Sequence, residues 1–149
     1  MTRAPRDALA AGLAGAVVSA FPSTTWTLIE RGDVLEGGRA LGLVLLPNEK
    51  RTVVLLAAGA PVHLALSLGW AGVLAAVLPP RAEPLYGLAG GLAIAALDLA
   101  VLGRLFPAIQ ALPQGRQWAD HAAFGLTVGA VLRATRRAGR RPSPSAAAR

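Results

Sequence analysis

This sequence predicts an all-α fold, a bundle of four transmembrane helices, and three observations carry that expectation. Of 149 residues 54% are hydrophobic and only 15% charged, with 17 Gly in addition, where a soluble domain carries about a quarter charged residues. The 29 residues between Arg51 and Arg81 contain no Lys, Arg, Asp or Glu. A chain of this length has too little interior to hide that segment together with three others like it. The absence of Cys excludes disulfides, thiolate catalysis and thiolate-bound metal.

A span needs about 20 apolar residues to cross a hydrocarbon core of ~30 Å. The first, 9–28, lies in the uncharged interval between Asp7 and Glu30. A competing reading treats Arg3 and Arg6, the apolar stretch after them and Val18-Ser19-Ala20 as a cleavable signal; apolar residues continuing past that point, through Phe21, Trp26 and Ile29, favour a span. Pro22 lies inside it and frees a carbonyl one turn earlier, which the neighbouring Ser and Thr side chains can help satisfy.

The segment from Glu30 to Arg51 is too polar to span, yet holds Val34-Leu35 and the apolar run Leu41 to Leu46. It reads as a short amphipathic helix at the membrane interface between spans 1 and 2, begun near Asp33 and stopped by Pro47. The second span, 52–78, is the most apolar. The third, 84–105, contains Asp98 and ends near Arg104. The fourth, 118–135, is the weakest, because Asp120 and Arg133 leave only 12 residues between them, and flanking arginines must snorkel to extend it. Residues 1–135 form one domain, and 136–149, with its Pro-Ser repeats and terminal alanines, reads as a basic disordered tail.

The net charge of +7 is unevenly placed. Six of the 15 basic residues follow the last apolar stretch, and no acid follows Asp120. Basic residues favour the cytoplasmic side of short loops. Both termini inside puts nine of them within and six without, which predicts a multi-pass inner-membrane protein with cytoplasmic ends. Arg133, Arg136, Arg137, Arg140 and Arg141 then act as a topology anchor on anionic lipids rather than as a nucleic-acid site. Trp26, Trp70 and Trp118 fit interfacial belts or packing contacts.

Lipid offers no hydrophobic force between helices, so close approach through small residues must replace it. Gly12 and Gly15 mark a thin stripe on the first span, Gly59 on the second, Gly87 and Gly91 on the third, and Gly125 and Gly129 on the fourth. A repeat runs through them. Gly12-Leu-Ala-Gly15 recurs as Gly87-Leu-Ala-Gly90, and His63-xxx-Ser67-xxx-Ala71 as His121-xxx-Gly125-xxx-Gly129. Two helical hairpins of one orientation would produce it, as would chance in so simple a composition.

Ionisable groups within spans are expensive and mark candidate sites. Asp98 shares a face with Gly87 and Gly91, His63 with Gly59, and His121 with Gly125, so all three point at neighbouring helices. With Asp120 at the interface they form a candidate polar cluster or proton relay. Two readings stand: hydrogen-bonded glue between helices, or a path with Asp98 as proton acceptor and the histidines as relays. Neither HxxxH nor HExxH occurs, and no further ligand is suitably spaced, so no metal or other cofactor is expected. No phosphate loop or nucleophile elbow occurs either, and no catalytic residue is assigned.

The residues His63-xxx-Ser67, Tyr86-Gly87-xxx-Gly91 and Asp120-His121-Ala-Ala-Phe124-Gly125-xxx-Gly129 resemble the small bacterial inner-membrane proteins of the YagU type, over roughly the last 90 residues. The resemblance implies a helical inner-membrane protein and supplies no catalytic residues. The expected function is that of a non-enzymatic membrane protein acting through helix contacts, as an accessory or envelope-homeostasis component, with a second copy or another membrane protein as partner. The alternative is a small oligomeric transporter or a proton- or cation-conducting unit that uses Asp98, His63 and His121.

Overall fold

The structure is a computed structural model in which residues 3–79 and 84–139 are described. Arg81, Arg140, Arg141 and Arg149 lie outside them, as does the tail from residue 140 onward. The described residues form seven helices in order: α1 (Arg3–Val18), α2 (Ala20–Ile29), α3 (Glu36–Leu45), α4 (Thr52–Val77), α5 (Pro84–Leu105), α6 (Pro107–Gln110) and α7 (Gln114–Ala138). Among the described residues there are no strands.

Among the described residues, three helical stretches are long and apolar enough to cross a membrane: Pro5–Ile29, Thr52–Val77 and Pro84–Leu105. Only 22, 17 and 24% of the residues in their apolar windows are buried within the protein. The outward faces carry side chains such as Val53, Ile29 and Leu85, each 70% exposed or more. Water would penalise such a surface, whereas hydrocarbon is its matching solvent. The fourth long helix, α7, has the length but not the apolarity, because Gln114, Arg116, Gln117, Asp120 and His121 fill its first two turns.

The first apolar stretch is two helices, not one. Pro22 has no N–H to offer the carbonyl of Val18, and its ring crowds that carbonyl. The α-helix stops at Val18 and restarts at Ala20, so Pro22 falls in the first turn of α2, where a missing donor costs nothing. Pro61 sits inside α4 without ending it. At its far end α2 closes in a Schellman turn: Arg31 N–H donates to Leu28 O, Gly32 N–H to Thr27 O, and Arg31 takes the left-handed conformation with φ 56°.

Glycines decide which helices touch. A Cβ on Gly12 would lie 2.9 Å from a Leu68 methyl, and one on Gly15 would lie 2.7 Å from the Phe124 ring. These contacts seat α1 between α4 and α7. The closest pairing joins α5 to α7, where Gly87 and Gly91 face Gly125 and Gly129 backbone to backbone. Here the carbonyls of Gly125 and His121 occupy the places where Cβ atoms on Gly87 and Gly91 would stand. The core threaded by these contacts consists of Ala11, Ala71, Leu74, Ile94, Phe124, Val128 and Leu132.

Matching positions of the sequence repeat meet in the contact of α1 with α4 and in that of α5 with α7. Ala16, four residues after Gly12, faces His63, and Gly91, four residues after Gly87, faces His121. The contacts between hairpins are not repeated: α1 packs closely on α7, while α4 and α5 scarcely meet.

The helix between spans 1 and 2 exists, but it is docked rather than free at a surface. Gly38 lies beside Gly59 and Gly42 beside Leu55, so α3 runs antiparallel along the first half of α4. Its start is fixed by Asp33, which accepts the Leu35 N–H at 2.9 Å and pairs with Arg39. The Arg39 guanidinium holds the Asp33 carboxyl below the usual range. At the other end of the chain, α7 continues through Arg136 and Arg137, three residues beyond the expected limit of the helical domain.

Candidate functional site

The break between α1 and α2 exposes backbone groups that a continuous helix would satisfy. Two side chains from other helices serve them. His63 Nε2, on α4, donates to the Ala16 carbonyl near the end of α1 at 2.9 Å. Asp120 Oδ1, on α7, accepts the Ser23 N–H in the first turn of α2 at 2.8 Å. Ser19 adds its hydroxyl to the Ala16 carbonyl at 3.3 Å. Asp120 thus caps a helix it does not belong to, a favourable place for a carboxylate at the positive end of the helix dipole.

Beyond the break α2 leans on α7. Arg116 donates to Thr27 Oγ1 at 2.8 Å and pairs with Glu30, which also accepts the Trp26 indole N–H at 2.8 Å. Arg116, Thr27, Glu30 and Trp26 all lie outside the expected cluster. Arg116 could have been found from the sequence: it is a cation in the first turn of a helix, where the dipole disfavours it, so it needs an acid nearby.

Asp98 and His121 meet across the α5–α7 contact, Oδ2 to Nε2 at 3.3 Å. The second ring nitrogen settles what this contact requires. His121 Nδ1 lies 2.8 Å from the Gln117 carbonyl, which can only accept, so Nδ1 carries a hydrogen. A neutral His121 then offers only a lone pair at Nε2, and an ionised Asp98 offers only lone pairs too. The contact is bonding when one further proton lies between them, either as imidazolium with carboxylate or as imidazole with carboxylic acid. Both forms have zero net charge, which a half-buried site favours.

Of the four expected polar residues, only Asp98 and His121 are hydrogen-bonded to each other. Asp98 pairs with His121, Asp120 with Ser23, and His63 with Ala16, but all four reach the wall of a single cavity of about 620 Å³. Its wall draws on residues of α2, α3, α4, α5, α6 and α7. Among the described residues, no group of three His, Cys, Asp or Glu is arranged to hold a metal ion.

The basic anchor divides as well. Arg136 points into the protein, donating to the carbonyls of Ala75 at 2.8 Å, Pro79 at 2.8 Å and Leu78 at 3.3 Å. It closes the C-terminal end of α4. Arg137 is exposed at the end of α7.

Compared with known proteins, the chain matches no family model, no curated protein and no solved structure.

Proposed function

We propose that this chain is a multi-pass inner-membrane protein that carries a proton or small cation through the Asp98–His121 pair. One observation supports this above others: the Gln117 carbonyl commits His121 Nδ1, so the Asp98 contact needs a proton of its own beside a cavity of about 620 Å³. In this reading α7 is the fourth span, its polar side chains turned onto α2, α5 and the cavity, with both termini cytoplasmic. The shared register of α1–α4 and α5–α7 supports two duplicated hairpins, and the YagU-like resemblance fits the same setting. Catalysis has no part in it. Asp98→Asn keeps a hydrogen-bonding side chain but removes the acid. In liposomes under a potassium-driven potential, wild type should acidify or alkalinise the lumen, and folded D98N should not. Equal flux from both, or none from wild type, would reject the proposal.

A second reading, association through helix contacts, has its own observation. Ala65, Gly69, Gly72 and Ala76 recur at helical spacing on α4, and a Cβ on Gly69 or Gly72 would meet nothing within 4 Å. Close-packing small residues that face outward suit a second copy or another membrane protein. Gly69→Leu should weaken crosslinking between copies in membranes if this face is used.

A further inference from the structure

The same cavity says more about its ligand than the word cation does. Its volume of about 620 Å³ lies within the ~300–1,000 Å³ of small-molecule sites and far exceeds the need of a proton or a bare metal ion. Its wall is mostly carbon, including Leu41, Leu56, Leu66, Trp70 and Phe106. A hydrated inorganic ion gains nothing from such a wall, whereas an organic cation with aromatic or aliphatic bulk buries its surface there. Trp70 and Phe106 place aromatic rings on this wall, and aromatic rings attract positive charge.

The charges agree. Arg116 reaches the wall, but Glu30 and Thr27 engage its guanidinium. Asp33 is paired with Arg39. Asp98 and Asp120 also line the cavity, Asp98 beside His121 and Asp120 on the Ser23 N–H, and among the described residues neither is paired with an arginine.

We infer that the cavity binds a monovalent lipophilic organic cation, its charge beside Asp98 and its bulk against Trp70. This rests on the reading of Asp98–His121 as a proton-holding pair. When the organic cation binds, the proton held between Asp98 and His121 leaves to water, Asp98 remains as carboxylate, His121 as neutral imidazole, and total charge is conserved.

The experiment uses the full chain purified in detergent, with radiolabelled tetraphenylphosphonium in equilibrium dialysis and triphenylphosphine oxide as the neutral competitor of similar bulk. Wild type should bind the phosphonium saturably, release protons into weak buffer as it does so, and resist competition by the oxide. Asp98→Asn should weaken binding by at least about tenfold. Ala60→Phe, which narrows the cavity without touching a charge, should also abolish binding while thermal stability stays at the wild-type value. Competition by the oxide as strong as by unlabelled phosphonium overturns the inference and makes the cavity an acyl-chain site. Asp98-dependent proton flux in liposomes without phosphonium binding overturns it too, and leaves the proton reading standing. Phosphonium binding without flux supports the inference and removes the transport reading alone.

Discussion

Asp120 on α7 accepts the backbone N–H of Ser23 on α2 at 2.8 Å, across 97 residues of sequence. A carboxylate that sequence alone offers as a relay candidate is, in the fold, the cap of a broken helix. Asp120→Ala leaves that amide without an acceptor and should cost about 1–2 kcal/mol of stability. Asp120→Asn retains an acceptor oxygen and should cost less. Thermal unfolding in detergent, followed by circular dichroism, gives the order; equal losses would count against the capping role.

The α5–α7 contact should tolerate almost nothing. Gly91→Ala drives a methyl into the His121 carbonyl, which is backbone and cannot swing aside. The helices must separate, at about 1–3 kcal/mol. Gly72→Ala, in open space on α4, should be neutral or mildly stabilising. Melting temperatures of the two variants, measured side by side, separate packing from helix propensity.

Arg136 closes α4 with three carbonyl contacts. Arg136→Ala removes charge-assisted bonds at a helix C-terminus and should cost about 1–3 kcal/mol. Lysine restores the charge but cannot bridge carbonyls as a planar fork does, so Arg136→Lys should recover only part. Arg137→Ala, at an exposed position, should leave stability unchanged. Hydrogen exchange of the amides at the end of α4 reads the effect locally.

The turn between α3 and α4 should respond to acid. Arg51, through its guanidinium and its N–H, and the Lys50 N–H hold the Glu49 carboxyl down from 4.5 to about 2. A lowered folded-state value means these bonds contribute fully above the ordinary glutamate range and are lost as pH falls through about 2. The carboxyl carbon of Glu49 should therefore titrate near 2 by NMR, and Arg51→Gln should move the midpoint upward. A midpoint near 4.5 in the wild type would contradict the arrangement.

Much of the fold can be read from residue types because lipid simplifies the problem. An uncharged run of span length marks α4, an apolar run interrupted by Asp98 marks α5, and four-residue glycine spacing marks the faces on which Gly87, Gly91, Gly125 and Gly129 meet. The position of α3 was harder to see. Gly38 and Gly42 have the same spacing, but they lie in a segment too short and too charged to span, and the structure shows Gly59 and Leu55 beneath them. Pro22 signals a disturbance without fixing its size; Pro61 is the same residue in a helix that does not break. For the site, residue types pick out the costly groups and not their partners. Asp98 and His121 are 23 residues apart and close together because of the glycines beside them. Arg136 looks like one basic residue of a cluster until the α4 carbonyls appear in front of it.

The two-piece first span also bears on how the protein is assembled. α2 has ten residues, about 15 Å of helix, which is half of a hydrocarbon core. Its anchors are Asp120 and Arg116, supplied 86 to 97 residues later. During synthesis α2 is made before those anchors exist. It takes its final bend only after α7 has arrived to hold it.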